Sequence, residues 1–267
     1  MILDVILQNW LSLLAPFIVC AAICTVFELL FNLDRSLFSR VRGAFFWSIC
    51  LFGIALGVVV TQQVFRAIGI PPLISVDLSQ GGHGLNWVAQ SLLLVPLILL
   101  PALVSDFAFY WCHRLQHAVP FLWRLHAVHH AIEELNGTNC YHHWSEGFVR
   151  SVFILLPLAL LVEWKPPEIM GISILVSTFW GHLDHLNANI GFGPLDRLFV
   201  SPAFHRVHHS RDVLHFEKNF AGMFSILDLV FGTAHFPSKN ENIATGLNDK
   251  HEAATLGEYL IALRDRR

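Results

Sequence analysis

Charge is scarce in this chain. Of its 267 residues only 14% are Asp, Glu, Lys or Arg, against about 25% in ordinary soluble domains, while 54% are hydrophobic. A net charge of −3 leaves no basic field that would argue for a nucleic-acid partner. The five cysteines (Cys20, Cys24, Cys50, Cys112 and Cys140) form no CxxC pair and read as reduced and buried. HExxH is missing too: "HEAAT" at 251–255 lacks the second histidine, which argues against a metalloprotease of that type. There is no dinucleotide fingerprint ("GFGPLD" at 191–196 does not fit one), no iron–sulfur cysteine set and no evident haem domain.

What is abundant is apolar sequence in long runs. No charge interrupts residues 5–27, 43–65 or 78–105, and each run reaches the about 20 residues that a membrane helix needs. The first does not read as a cleaved signal peptide, because no Lys or Arg precedes Arg35. Two shorter runs, 151–162 and 169–183, flank "EWKPPE" and read as a re-entrant hairpin or a pair of short spans, either of which returns the chain to the face it left. Arg35, Arg40 and Arg42 follow the first run, whereas only Arg66 follows the second. The positive-inside rule then places 34–42 in the cytoplasm and the N-terminus outside. The expected fold is an all-α, multi-pass membrane helical bundle with a cytoplasmic, histidine-rich di-metal cap. Residues 1–99 form its N-terminal transmembrane part, 100–235 its histidine-rich region and 236–267 a cytoplasmic tail.

Twelve of the sixteen histidines lie between 113 and 209. His113 and His117 are i,i+4. His126, His129 and His130 are i,i+3,i+4, and His205, His208 and His209 repeat that pattern; His182 and His185 are i,i+3. On a helix these offsets bring side chains to one face, about 5–6 Å apart at Cβ. Neutral imidazoles so placed suit iron, zinc, copper or nickel. Ten exceed the about four ligands of one tetrahedral zinc, whereas two ions with roughly five nitrogens each use them all. Asp106, Glu133, Glu134, Glu146, Asp184 and Asp228 are candidates to accept the outer N–H of a ligand imidazole or to serve as interfacial charges and caps. His83, His215, His235 and His251 read as interfacial or hydrogen-bonding residues. Trp111, Phe121, Trp123, Trp144 and Trp180 read as belt or pocket aromatics.

Three segments, "DFAFYWCHRLQH" at 106–117, "LWRLHAVHH" at 122–130 and "GPLDRLFVSPAFHRVHHS" at 193–210, resemble the fatty acid hydroxylase/sterol desaturase superfamily of membrane di-iron enzymes. "HLN" at 185–187, "NF" at 219–220 and "LDLVFGT" at 227–233 add to the likeness, which covers about 100–235. The resemblance implies His113, His117, His126, His129, His130, His185, His205, His208 and His209 as ligands, with His182 the natural tenth. It implies two iron ions and O2, acting on a lipid C–H bond to leave a hydroxyl group or a double bond. A separate electron donor, a reductase with a ferredoxin or a cytochrome, is then required. After the second box the family's Arg-x-His-Pro-x-Glu element becomes "YHHWSE" at 141–146, leaving His143 and Glu146 beside Asp106 and Asp228 as near-site candidates. Two readings of other classes remain: a zinc-dependent membrane hydrolase, which needs no O2, and a metal transporter, whose ligands would tend to lie near mid-bilayer on broken helices.

Overall fold

A computed structural model describes residues 2–34, 36–78, 86–238, 241 and 243–262. Arg35 and His83, used above for orientation and interface, lie outside the described residues. Among the described residues, three helices are long and apolar enough to cross a membrane: Ile2–Leu30 (α1), Leu37–Ile68 (α2), and Leu92–Ala118 within the helix Trp87–Ala118 (α3). Ser36 caps the start of α2 by accepting from Ser39 N, and Gly69, at φ 64°, ends it. That left-handed stop is natural to glycine, which has no Cβ to clash.

The apolar run 78–105 placed the third helix too early. It continues past Asp106 to Ala118 and carries the first histidine pair on its last turns. Asp106 does not break it because the carboxylate is buried and accepts the backbone N–H groups of Gly222, Met223 and Phe224 at 2.9, 3.0 and 2.7 Å. The short helix Pro120–His130 (α4) starts on a proline, where the missing N–H costs nothing.

After α4 the chain forms a helical hairpin. Glu146–Arg150 (α5) runs through a π-turn into Leu156–Leu161 (α6); an extended tip follows, and Pro167–Leu183 (α7) returns. The 17 residues of α7 span about 25 Å, short of the about 30 Å hydrocarbon core. The tip corrects the all-α expectation in one place. Val162–Lys165 (β2) pairs in parallel with Ile74–Asp77 (β1), the segment between α2 and α3. Proline at 166 and 167 favours extended backbone just before it. All four histidine segments gather at the opposite end of the helices. Beyond them come Pro202–His208 (α8), capped by Ser201, then Ile226–Phe231 (α9) and Leu256–Leu260 (α10).

At the histidine end Phe46 of α2 stacks on Tyr259 at 4.5 Å, and Val128, Ile132 and Tyr141 complete that core. Residues around 259 therefore pack into the same body as the histidine boxes. Glu28, fully buried at the end of α1, binds Arg40 at 2.8 Å and accepts from Gly137 N and Asn187 N at 3.2 and 2.9 Å. It joins the loops that follow the second histidine box and the His182–His185 pair. Burying a carboxylate alone would cost several kcal/mol, and here three donors offset it. Glu28→Ala is expected to destabilise the protein toward the lower end of the about 3–5 kcal/mol typical of a broken buried pair, because Asp34 still holds Arg40 at 3.1 Å. The unfolding midpoint in detergent checks this, and an unchanged midpoint would contradict it.

Candidate metal centre

The histidines arrive on the last turns of α3 and α4, just past the end of α7, and on α8 and its C-terminal cap, and they separate into two groups. One contains His113, His117, His126, His130 and His208; the other contains His129, His185, His205 and His209. Within each group one ring nitrogen per residue lies within 4.8 Å of all the others. The repeated HxxHH thus has a specific job. In the first copy the i,i+4 pair, His126 and His130, enters the first group, and the i+3 residue His129 enters the second. In the other copy His205 and His209 enter the second group, and His208 enters the first. Each motif serves both sites.

Hydrogen bonds settle which nitrogens face inward. Nδ1–H donates outward from His113 to Phe220 O (2.7 Å), from His126 to Glu146 Oε1 (3.1 Å) and from His208 to Lys218 O (2.8 Å). His129 donates to Tyr141 O (3.0 Å) and His185 to Gly181 O (2.7 Å). A carbonyl can only accept, so the Nε2 atoms of those rings are bare. Yet Nε2 meets Nε2 at 2.9 Å between His113 and His126, at 3.0 Å between His208 and His113, and at 3.2 Å between His185 and His129. Lone pairs that close repel unless a cation sits among them. The donor set, all imidazole and with five of the nine rings held from behind, fits divalent iron or zinc in each group.

Of the ten predicted ligands, nine are brought together. His182 is not: its Nδ1 donates to Gly137 O at 2.8 Å, and its ring packs near Phe17 and Trp47. It sits one helical turn before His185, on the outer side of the second group, so the expected five-and-five becomes five and four. Among the candidates for an outer partner, two touch group members: Glu146 accepts from His126, and the buried Asp184 carboxylate lies against His185 Nδ1. Asp228 acts at one remove, accepting from Phe220 N and Ala221 N and so fixing the carbonyl that holds His113. Asp106 steadies the same loop further along. His143 turns away to Ser145 Oγ and Leu260 O.

The residue missed is His142. Its ring stacks on His129 at 3.8 Å, and it shares Glu146 Oε1 with His126. Residues 140–143 are not helical, so neighbours point to opposite sides and one position decides which imidazole faces the centre. The available signal was the i,i+4 spacing to Glu146. Trp47 was also missed; it donates Nε1–H to Cys140 Sγ at 3.4 Å and meets His142 edge-on. Of the predicted aromatics, Trp123 packs on His117 and His130, and Trp180 donates to Val200 O, whereas Trp111, Phe121 and Trp144 are exposed.

Two cavities meet the centre. One of about 390 Å³ is walled by apolar side chains of α1, α2, α3 and α7, among them Phe17, Leu51, Phe109 and Ile174, and reaches His113, His126, His129, His185 and His205. The other, about 490 Å³, touches His117, Trp123, His130 and His208 and is bordered by Arg211, Glu217 and Asp249.

The fatty acid hydroxylase family profile matches residues 98–233. Alkylglycerol monooxygenase of Homo sapiens is 34% identical over 145 residues, which cover 53% of this chain and 31% of that protein. Ornithine lipid hydroxylase OlsE of Rhizobium tropici is 32% identical over 154 residues, 57% of this chain and 46% of that protein. A very-long-chain aldehyde decarbonylase of Oryza sativa subsp. indica is 26% identical over 192 residues, 68% and 29% respectively. The chain thus spans less than half the length of each of these relatives. No solved structure matches it significantly.

Burial, reinforced by neighbouring imidazoles, pushes His129, His130, His205, His208 and His209 well below the ordinary histidine range. Burial and then Arg150 bring His142 down to about 3. Burial opposes ionisation of Glu146, but His142, His126 and Arg150 overcome it and hold the carboxyl well below its usual range. These six imidazoles are therefore neutral and ready to bind a cation at neutral pH. An unfolded chain protonates these histidines near their ordinary value of about 6.5, whereas the folded core does so only at much lower pH. Their contribution to stability is full above about 6.5 and is lost as pH falls below it. The metal-stripped protein is expected to show a flat unfolding midpoint from pH 8 to about 7 and a steady decline below about 6.5; a midpoint insensitive to pH down to 5 would count against buried neutral histidines.

Proposed function

The chain belongs to the fatty acid hydroxylase family, and we propose that it is a membrane-embedded, O2-dependent oxidoreductase that hydroxylates a C–H bond in the hydrocarbon part of a lipid. Two iron ions would be held by the five- and four-histidine groups and would supply the activation of O2. The observation that carries this reading is the apolar cavity that touches both groups. A lipid chain fits its mostly apolar walls, which would present a methylene to the centre.

The residues around the centre have separable tasks. Phe17, Leu51, Phe109 and Ile174 hold the chain and exclude water. The carbonyls of Phe220, Lys218, Tyr141 and Gly181 orient the imidazoles. Glu146, ionised beside Arg150 at 3.1 Å, keeps His126 in its inward-bare tautomer. Hydroxylation is favoured over desaturation by the relatives that are named monooxygenase or hydroxylase. The centre lies at one end of the helix bundle, which favours lipid oxidation over transport through the bilayer. Arg40 and Arg42 are at that same end, consistent with a cytoplasmic face. Electrons would come from a separate reductase with a ferredoxin or cytochrome.

The first test is metal content together with lipid product. About two irons per chain are expected after anaerobic iron loading, falling to about one in His129→Ala. Cells that make the protein should accumulate a lipid carrying one oxygen from isotopically labelled O2, absent with His126→Ala. Zinc that persists through iron loading, with no O2-derived product, would move the reading to a hydrolase. A second test addresses the cavity. Gly171 lines it with nothing within 4 Å of an added Cβ. Gly171→Phe is expected to keep both metals and to cut turnover of a long-chain lipid about 10–100-fold by misplacing it.

A further inference from the structure

Outside the centre, a third group of ligand-type side chains converges: His215, His235 and Glu241, with one donor atom from each within 4.8 Å of the others. From the sequence these two histidines read as interfacial or hydrogen-bonding residues. His215 is indeed hydrogen-bonded, its Nδ1 lying 2.8 Å from Ser210 Oγ, an oxygen that also accepts from Asp212 N. Its Nε2 lies 2.9 Å from Glu241 Oε1, while Glu241 Oε2 accepts from Ser238 N at 2.9 Å. Thus one carboxylate oxygen is held from behind and the other is presented to the imidazole. Asn219 clamps the backbone of His235 on both sides, donating to its carbonyl and accepting from its N–H at 2.8 and 2.7 Å. The ring of His235 lies 4.9 Å from that of His215, and its nitrogens have no hydrogen-bond partner among the described residues.

We propose that His215, His235 and Glu241 form a third metal site, separate from the two histidine groups, that takes a divalent first-row transition ion such as zinc. Two imidazoles and one carboxylate are a recurring donor set for such ions, with a position left for water. If Nδ1–H of His215 donates to Ser210, the lone pair on Nε2 faces a carboxylate oxygen, and a cation between them relieves that contact. Ligand atoms about 2.0–2.1 Å from a tetrahedral ion stand roughly 3.4 Å apart, so a small opening of the 2.9 Å pair and a rotation of His235 suffice. The site is a structural clip. Val213, Phe216 and Glu217, on either side of His215, wall the 490 Å³ cavity that touches the centre. An ion here ties that wall to the segment carrying His235 and Glu241.

The experiment is a zinc count on the full chain in detergent, equilibrated with micromolar free zinc, for the wild type, His235→Ala and Glu241→Gln. Each variant is expected to hold one ion fewer than the wild type. Brief chelation should take that ion first, since Glu241 is partly exposed while the two histidine groups are buried. His129→Ala is the control: it should lose zinc from the centre and keep the ion that brief chelation removes. Equal counts in the wild type and both variants would overturn the proposal. So would a loss in His235→Ala accompanied by a lowered metal-free unfolding midpoint, if Glu241→Gln keeps its full count. Because the comparison is a difference, failure of the two-metal reading would change the total in all samples and leave this difference intact.

Discussion

The structure depends on buried imidazole nitrogens that are bare and pointed at one another. A histidine in a low-dielectric core is tolerable when both nitrogens are satisfied, and in His113, His126, His129, His185 and His208 the outer one is given a carbonyl or carboxylate so that the inner one has no proton to offer. Each outer acceptor has its own support. Gly181 O is free because the last carbonyls of α7 have no intrahelical partner. Lys218 O faces His208 between two left-handed residues, Glu217 at φ 58° and Asn219 at φ 59°. That conformation costs roughly 1–2 kcal/mol per residue. Asn219 offsets part of it by donating to Phe204 O and His235 O. Phe220 O is fixed by the Asp228 carboxylate. The loop after the third box is shaped to present carbonyls to histidines.

The membrane helices serve the same end. α1 and α2 run antiparallel, with Trp10 Nε1 on Ser48 O at one level and Glu28 on Arg40 at the other. At Gly53 a Cβ would collide with the carbonyl of Trp144, so only glycine lets the segment bearing His142 and Glu146 lie against α2. The β1–β2 pairing fastens the hairpin tip to the α2–α3 connection, at the end of the helices away from the histidines. The helices that precede the matched residues 98–233 are therefore part of the cavity and of the frame.

Local periodicity made much of this legible. The offsets of three and four identified nine residues that do converge, because helical spacing alone determines which side chains share a face. The lengths of the apolar runs located three helices, with an error at α3 that came from treating Asp106 as a terminator when its three N–H partners lie more than a hundred residues away. The same limit explains His142 and His143. In a non-helical stretch a single residue reverses the facing, and nothing in the neighbouring sequence reports it. His182 misled for a related reason: i,i+3 spacing to His185 holds on a helix, but α7 ends at Leu183, and the turn carries His185 inward without its neighbour. The grouping of His215 and His235 with Glu241 joins residues on either side of α9 that share no helix, and it had no periodic signal at all.

Sequence-adjacent histidines also constrain how the centre can behave. His129 and His130 share a peptide bond yet face different groups, as do His208 and His209, and the rings of His130 and His209 stack at 4.6 Å between them. A shift of α4 or α8 cannot alter one group without altering the other. The spacing of the two histidine groups is therefore tied to backbone geometry at two independent points. Chemistry that requires two ions to act on one small molecule needs their spacing kept within a fraction of an ångström. On the proposed reading, a doubled HxxHH on two short helices would achieve that with six side chains, and the apolar cavity would need only to bring a methylene to the shared edge of the two groups.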